Sequence, residues 1–322
     1  MKHLVNVVSE KNWLDAYQNR EDMMQFVRDC CCDGVEVIRG GPDDTGIYTP
    51  DYVVGCHLLF YPNWIDFWNG NTAYLEKHFG SRELWEGYYQ SQNREEFKKL
   101  FQADMDYAEA MGAEYAVFHI SDVSNEEIFS YQWEHSNRDI FDASIELLNE
   151  LTDGKNYHFK LLLENLFTPG HHFIDPHETE YLLDRVHYEN KGLLLDTGHL
   201  MNANQHITDD EQGLRWVMDC VMRHGELAKS IKGLHLHQSL SGDVLSDMLS
   251  RHIVPEKDFY DCFAQSYAWI LKIDQHDPIT NPLVNDLLAM VDPEYVVHEI
   301  SAPDRASKVE RVRLQMHTLG RC

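Results

Sequence analysis

Eight short apolar runs, separated by helical patterns, constrain the fold of this 322-residue chain more than any other feature. They read HLVNVVS (3–9), GVEVIR (34–39), YVVGCHLLF (52–60), YAVFHI (115–120), FKLLLE (159–164), GLLLD (192–196), IKGLHLH (231–237) and YVVHEI (295–300). Most are short and rich in β-branched residues or leucine, as strands covered on both faces are. Helical stretches such as 94–112, 138–152, 211–225 and 308–320 lie between or after them, three closing on Gly112, Gly225 and Gly320. No linker, charge block or low-complexity tract divides the chain. Strand-then-helix units repeated eight times predict one α/β domain over 1–322, a closed (β/α)8 barrel with long loops after strands three and seven. An open doubly wound sheet is the competing architecture. It normally carries a Gly-rich turn after its first strand, and VVSEKNW has none.

No run of some 18 apolar residues and no basic-then-apolar N-terminus is found, so neither a membrane span nor a signal peptide is expected. The seven cysteines include the consecutive Cys30, Cys31 and Cys32 and show neither disulfide-framework nor C-x-x-C spacing. A reduced, cytoplasmic protein is the simplest expectation. With 27 basic and 54 acidic residues the formal net charge is −27, so nucleic acid is disfavoured as a partner. The 19 histidines point elsewhere, because imidazole is the commonest metal ligand.

In a barrel of this kind the chemistry sits where the strands end. There the sequence places His57, His119, Glu164, Asp196, His235, His237 and Glu299. The period of two puts Gly233, His235 and His237 on one face, facing inward, while His298 points opposite to Glu299 and toward the helices. Taken singly, each residue has a plainer reading. Asp196 suits the N-cap of the next helix, and His57 or His119 a hydrogen-bonded core position. Convergence alters the balance, since ionisable groups crowded into one barrel mouth repel each other unless a cation neutralises them. Mixed His, Asp and Glu donors suit Zn²⁺, Mn²⁺ or Fe²⁺ better than Mg²⁺ or Ca²⁺.

LLLEN, LLLDTGH, KGLHLHQS and VVHEIS, in that order, resemble the last four strands of the xylose isomerase-like TIM barrels. DGVEVIRG and MGAEYAVFHIS match the second and fourth strands of that superfamily, which includes ketose 3-epimerases, inosose dehydratase-like enzymes and endonuclease IV. The resemblance implies a shared metal quartet of Glu164, Asp196, His235 and Glu299. His235 is preferred to His237 because it falls in the K-G-x-H-L pattern, although Gln238 stands where the family usually has an acid. His57 and His119 match the histidines that bring a second zinc to endonuclease IV, with Glu164 as bridge. His199 and His252 would match the ligands of its third, but Ser250 replaces the expected Asp, a departure from the three-metal pattern.

Two functions follow as expectations. In a sugar or polyol isomerase or epimerase, a divalent metal (Mn²⁺ or Zn²⁺, with Mg²⁺, Co²⁺ or Fe²⁺ as alternatives) would chelate substrate oxygens. Glu164 and Glu299 would then exchange a proton with a carbon next to a carbonyl, and His199 would polarise a substrate oxygen. His237 and the aromatic segment after strand three, Trp64 and Trp68 above all, would contact the carbohydrate, although many of those rings are expected to pack their own helices. An endonuclease IV-like zinc phosphodiesterase is the alternative, with a lyase or another hydrolase on the same scaffold behind it. A homo-oligomeric state is compatible with either.

Overall fold

The computed structural model describes residues 1–40 and 45–322. Its strands are β1 (Lys2–Val8), β2 (Gly34–Ile38), β3 (Val53–His57), β4 (Tyr115–His119), β5 (Lys160–Glu164), β6 (Lys191–Asp196), β7 (Ile231–His235) and β8 (Tyr295–His298). Each pairs in parallel with the next, and β8 returns to β1, closing the barrel. All eight runs read from the sequence are strands, but several are shorter than the apolar pattern. The run at 52–60 pairs only as far as His57, and β8 stops at His298, one residue before Glu299. Past those points the chain turns out of the ladder at the barrel mouth, so apolar character outlasts strand geometry.

Alternation along each strand builds two cores. Leu4, Tyr115, Val117, Leu162, Leu194, Tyr295 and Val297 fill the barrel interior. Their neighbours Val5, Val37, Cys56, Ala116, Leu161, Leu163, Leu195 and Val296 face the surrounding helices. Inside, Tyr115 lies across β3 where there is no side chain to meet it. A Cβ on Gly55 would fall 2.2 Å from the Tyr115 ring, so only glycine admits that tyrosine.

The connections after β3 and β7 are long but helical. The first holds Ile65–Trp68, Thr72–Phe79, Arg82–Tyr89 and Arg94–Ala110, and the second Gly242–Ser250, Phe259–Ile273 and Val284–Val291. Among the described residues no helix is long and apolar enough to cross a membrane.

One expectation is corrected here. Cys31 and Cys322 form a disulfide, with Cα atoms 6.1 Å apart across 291 residues, so the cysteines are not all reduced. Spacing could not reveal this pair, because only closure of β8 onto β1 brings the last helix (Arg305–Thr318) back toward the first turns of the chain.

Candidate metal centre

Strand register assembles the mouth of the barrel. His119 on β4 is the ladder partner of Glu164 on β5, and Asp196 on β6 is the partner of His235 on β7. Glu164 Oε2 lies 3.2 Å from His57 Nε2 and 3.1 Å from His119 Nε2. Its other oxygen lies 3.1 Å from His235 Nδ1, which is also 2.9 Å from Glu299 Oε2 and 3.6 Å from Asp196 Oδ2. A third group stands alongside: Asp274 Oδ2 is 3.1 Å from His199 Nε2 and 2.8 Å from His276 Nε2. Within each of these three groups the donor atoms all lie inside 4.8 Å of one another. Glu164, with one oxygen on each of two groups, is the bridge between them.

The hydrogen bonds on the far sides of the rings decide what the near sides want. His57 Nδ1 sits 2.9 Å from the Leu58 carbonyl, His199 Nδ1 3.0 Å from the Asn165 carbonyl and His276 Nδ1 3.0 Å from the Glu299 carbonyl. A carbonyl only accepts, so each of these nitrogens carries the proton. His235 does the same in reverse, giving Nε2–H to Glu36 at 3.0 Å. In each neutral ring the remaining nitrogen is a lone pair, and in each case it faces a carboxylate oxygen. Lone pair against lone pair in a buried site requires a cation, either a proton on the ring or a metal ion between the atoms.

The charge balance has the same origin. Burial opposes the charged form of His235, yet Glu299, Glu36 and Glu164 raise its pKa well above the ordinary histidine value. Against the opposing effect of burial, His276, mostly shielded from solvent, is pushed up to about 9 by Asp274. Burial also works against ionised Glu164 and Asp274, but the surrounding imidazoles hold both well below the usual carboxylate range. His119 goes the other way, lowered by burial despite Glu164. Nitrogen and oxygen donors at these spacings fit divalent cations such as Zn²⁺ or Mn²⁺.

The D-T-G-H segment shows how local sequence builds the site. Asp196 caps the next helix, as its position suggested, and keeps its second oxygen turned to the donor cluster. Oδ1 accepts the His199 N–H at 2.6 Å and caps the short helix Thr197–Asn202, while Oδ2 faces His237 Nε2 at 2.9 Å. Thr197 Oγ1 donates to the His237 carbonyl and accepts its N–H, fixing that residue against β6. Gly198 leaves room for the ring: a Cβ there would stand 2.0 Å from His237 Cε1. His237 also stacks on His276, centroids 3.9 Å apart, so both histidines of β7 and its extension reach the mouth.

Glu164, Asp196, His199, His235, His237, Glu299, His57 and His119 therefore converge. His252 does not. It is exposed on the turn after Gly242–Ser250, and its expected place is taken by Asp274 and His276. Trp64 and Trp68 also lie elsewhere. Trp64 stacks on Phe97 and donates to the Ser121 carbonyl, and Trp68 bonds Glu146 under the Arg94 guanidinium. Both rings close the helical layer, which outweighs any exposure at the mouth. His298 faces outward, between His3 and Gln315.

Sequence reasoning missed Glu36, Asp274 and His276. Asp-x-His occurs at 175–177 and 274–276, and only the second follows β7, which was the available signal. An antiparallel bridge between Gln238 and Asp277, with Ser239 Oγ donating to Asp274, draws that segment over the barrel mouth. Above the donors opens a cavity of about 820 Å³ with an aromatic rim that includes Trp13, Tyr17, Phe60, Tyr61 and Tyr267. Lys308 and Arg311 are the only cationic side chains among its described lining residues other than histidine.

No curated protein matches the chain in sequence. Many solved structures share its fold, among them the following three. A D-tagatose 3-epimerase-like protein superposes with a TM-score of 0.56 at 15% identity, covering 99% of this chain and 97% of that one. The IOLI protein with a bound zinc atom gives 0.53 at 15%, covering 99% and 96%. Endonuclease IV from Thermus thermophilus gives 0.51 at 13%, covering 100% of both chains. The model of the xylose isomerase-like TIM barrel family matches residues 79–279, nearly two-thirds of the sequence. Strand order, barrel closure and that match agree: the chain belongs to the xylose isomerase-like TIM barrel family.

Proposed function

We propose that the protein is a multinuclear divalent-metal hydrolase acting on a compact anionic ester, with a phosphoester the best-fitting chemistry. One observation carries the reading: Glu164 turns one oxygen to His57 and His119 and the other to His235, as a carboxylate shared by two cations would. Divalent cations in such a site polarise an ester oxygen and acidify water near neutral pH. The histidines supply neutral donors, four of them oriented from behind: His57, His199 and His276 by a carbonyl and His235 by Glu36. Asp196, Glu299 and Asp274 supply the negative charge. Five buried or nearly buried carboxylates (Glu36, Glu164, Asp196, Asp274 and Glu299) would meet six positive charges from three dications, so an anion is accepted locally despite a net charge of −27. The same surface charge repels a long polyphosphate backbone, which favours a small ester over duplex nucleic acid.

A second reading rests on a separate observation, the approach of Glu164 and Glu299 to the same His235 nitrogen. With the central group alone occupied, those two glutamates would flank a chelated sugar or polyol and exchange a proton at a carbon next to its carbonyl. The structural neighbours that are named as epimerases, an L-ribulose 3-epimerase and a D-psicose 3-epimerase, support it as a family precedent. Metal analysis and two assays separate the readings. Two or three zinc per chain with turnover of bis(p-nitrophenyl) phosphate supports hydrolysis. One metal per chain, with deuterium incorporated into a ketose from D₂O and no ester cleavage, would overturn it in favour of the isomerase.

A further inference from the structure

Residue 308 enters the site from the last helix rather than from a strand. Lys308 is 6% exposed, and its ammonium donates to Asn6 Oδ1 on β1 and to the Ile300 carbonyl just after β8, both at 2.5 Å. The side-chain amide of Asn6 in turn donates to Glu299 Oε1 at 3.4 Å, while Glu299 Oε2 faces His235. An ammonium has donors and no acceptor, so it dictates which end of the Asn6 amide faces it. With Oδ1 taken by Lys308, Nδ2 is left for the glutamate. Lys308 therefore acts on Glu299 twice, through the amide and through the backbone of the next residue.

We infer that Lys308 and Asn6 form a positioning relay that sets the rotamer of Glu299 and thereby tunes how tightly the central donor group holds its cation. Neither residue touches the central donors other than Glu299, and a ligand carboxylate held from behind binds metal more tightly than a free one. The relay depends on the metal centre proposed above but on neither reading of its chemistry. It also accounts for the burial of Lys308, where an ammonium with no task would be costly.

The test is zinc affinity of the full chain, measured by chelator competition, together with the visible spectrum of the Co²⁺-loaded protein. Asn6→Asp keeps an acceptor for Lys308 but removes the donor to Glu299, so a lysine that merely fills space would not register the change. Lys308→Met removes the cation and keeps the length of the side chain. Both variants are expected to lose roughly tenfold in affinity for the central zinc and to shift the Co²⁺ bands, with Asn6→Asp unfolding thermally as the wild type does. Should Lys308→Met fail to fold, Asn6→Asp decides alone. Wild-type affinity and Co²⁺ spectrum in Asn6→Asp would overturn the relay. A wild-type protein that takes up no zinc or cobalt would overturn the metal reading itself, and the relay with it.

Discussion

His235 stands between opposed carboxylates, its Nε2 3.0 Å from Glu36 Oε1 and its Nδ1 2.9 Å from Glu299 Oε2. Glu36 is fully buried on β2 and receives a second hydrogen bond from Tyr115 at 2.7 Å, so its place is fixed from two sides. Glu36→Gln keeps the shape but removes the charge behind the imidazole. Zinc affinity should fall about tenfold, read by chelator competition, with the metal-free fold retained by circular dichroism.

Asp274 and His276 should account for one metal of their own. Asp274→Asn and His276→Ala are expected to lower the bound metal by about one equivalent per chain at saturation, read by elemental analysis. His252→Ala should leave the count unchanged, because that side chain is exposed and remote from the donor groups. Loss of metal in His252→Ala would mean that the Asp-x-His segment at the mouth has been misassigned.

Glu164 and Asp196 contribute to the bridged and central groups, whereas His298 faces His3 and Gln315 on the helix side. Glu164→Gln and Asp196→Asn should reduce metal content and activity together. His298→Ala should keep the metal and instead lower thermal stability, since it leaves the buried Gln315 amide without one partner, at a cost of about 1–3 kcal/mol. Equal metal loss in all three would contradict the strand registers.

His171, outside the metal groups, makes a pH prediction. Burial lowers its pKa to about 3, and its Nε2 sits 3.1 Å from Thr179 Oγ1. The unfolded chain binds this proton near 6.5 and the folded chain only far below that. The resulting stability is complete above pH 6.5 and declines as pH falls toward 3, by roughly 2 kcal/mol between pH 6.5 and 5. His171→Asn should flatten that part of the acid limb in urea-unfolding midpoints measured from pH 7 to 5. An acid limb as steep as the wild type's would rule His171 out as its source.

Much of this molecule was legible in one dimension because its causes are local. Strands buried on both faces must be apolar throughout, so eight such runs announce a parallel barrel, and the period of two already separates Glu299 from His298. D-T-G-H carries its own cap and its own clearance for a neighbouring ring, both written in adjacent residues. What the tertiary structure alone decided are relations among residues far apart in sequence. Glu36 reads as a mid-strand residue until closure of the barrel brings His235 against it. Asp274 and His276 sit in an ordinary interhelical stretch until the Gln238–Asp277 bridge folds it over the mouth. Trp64 and Trp68 look like ligand-facing rings until the helices after β3 need them as core. Cys31 meets Cys322, and Lys308 meets Asn6, because a closed barrel returns its last helix to its first strand. Local periodicity encodes which face a residue occupies, but only closure and strand register decide what stands across from it.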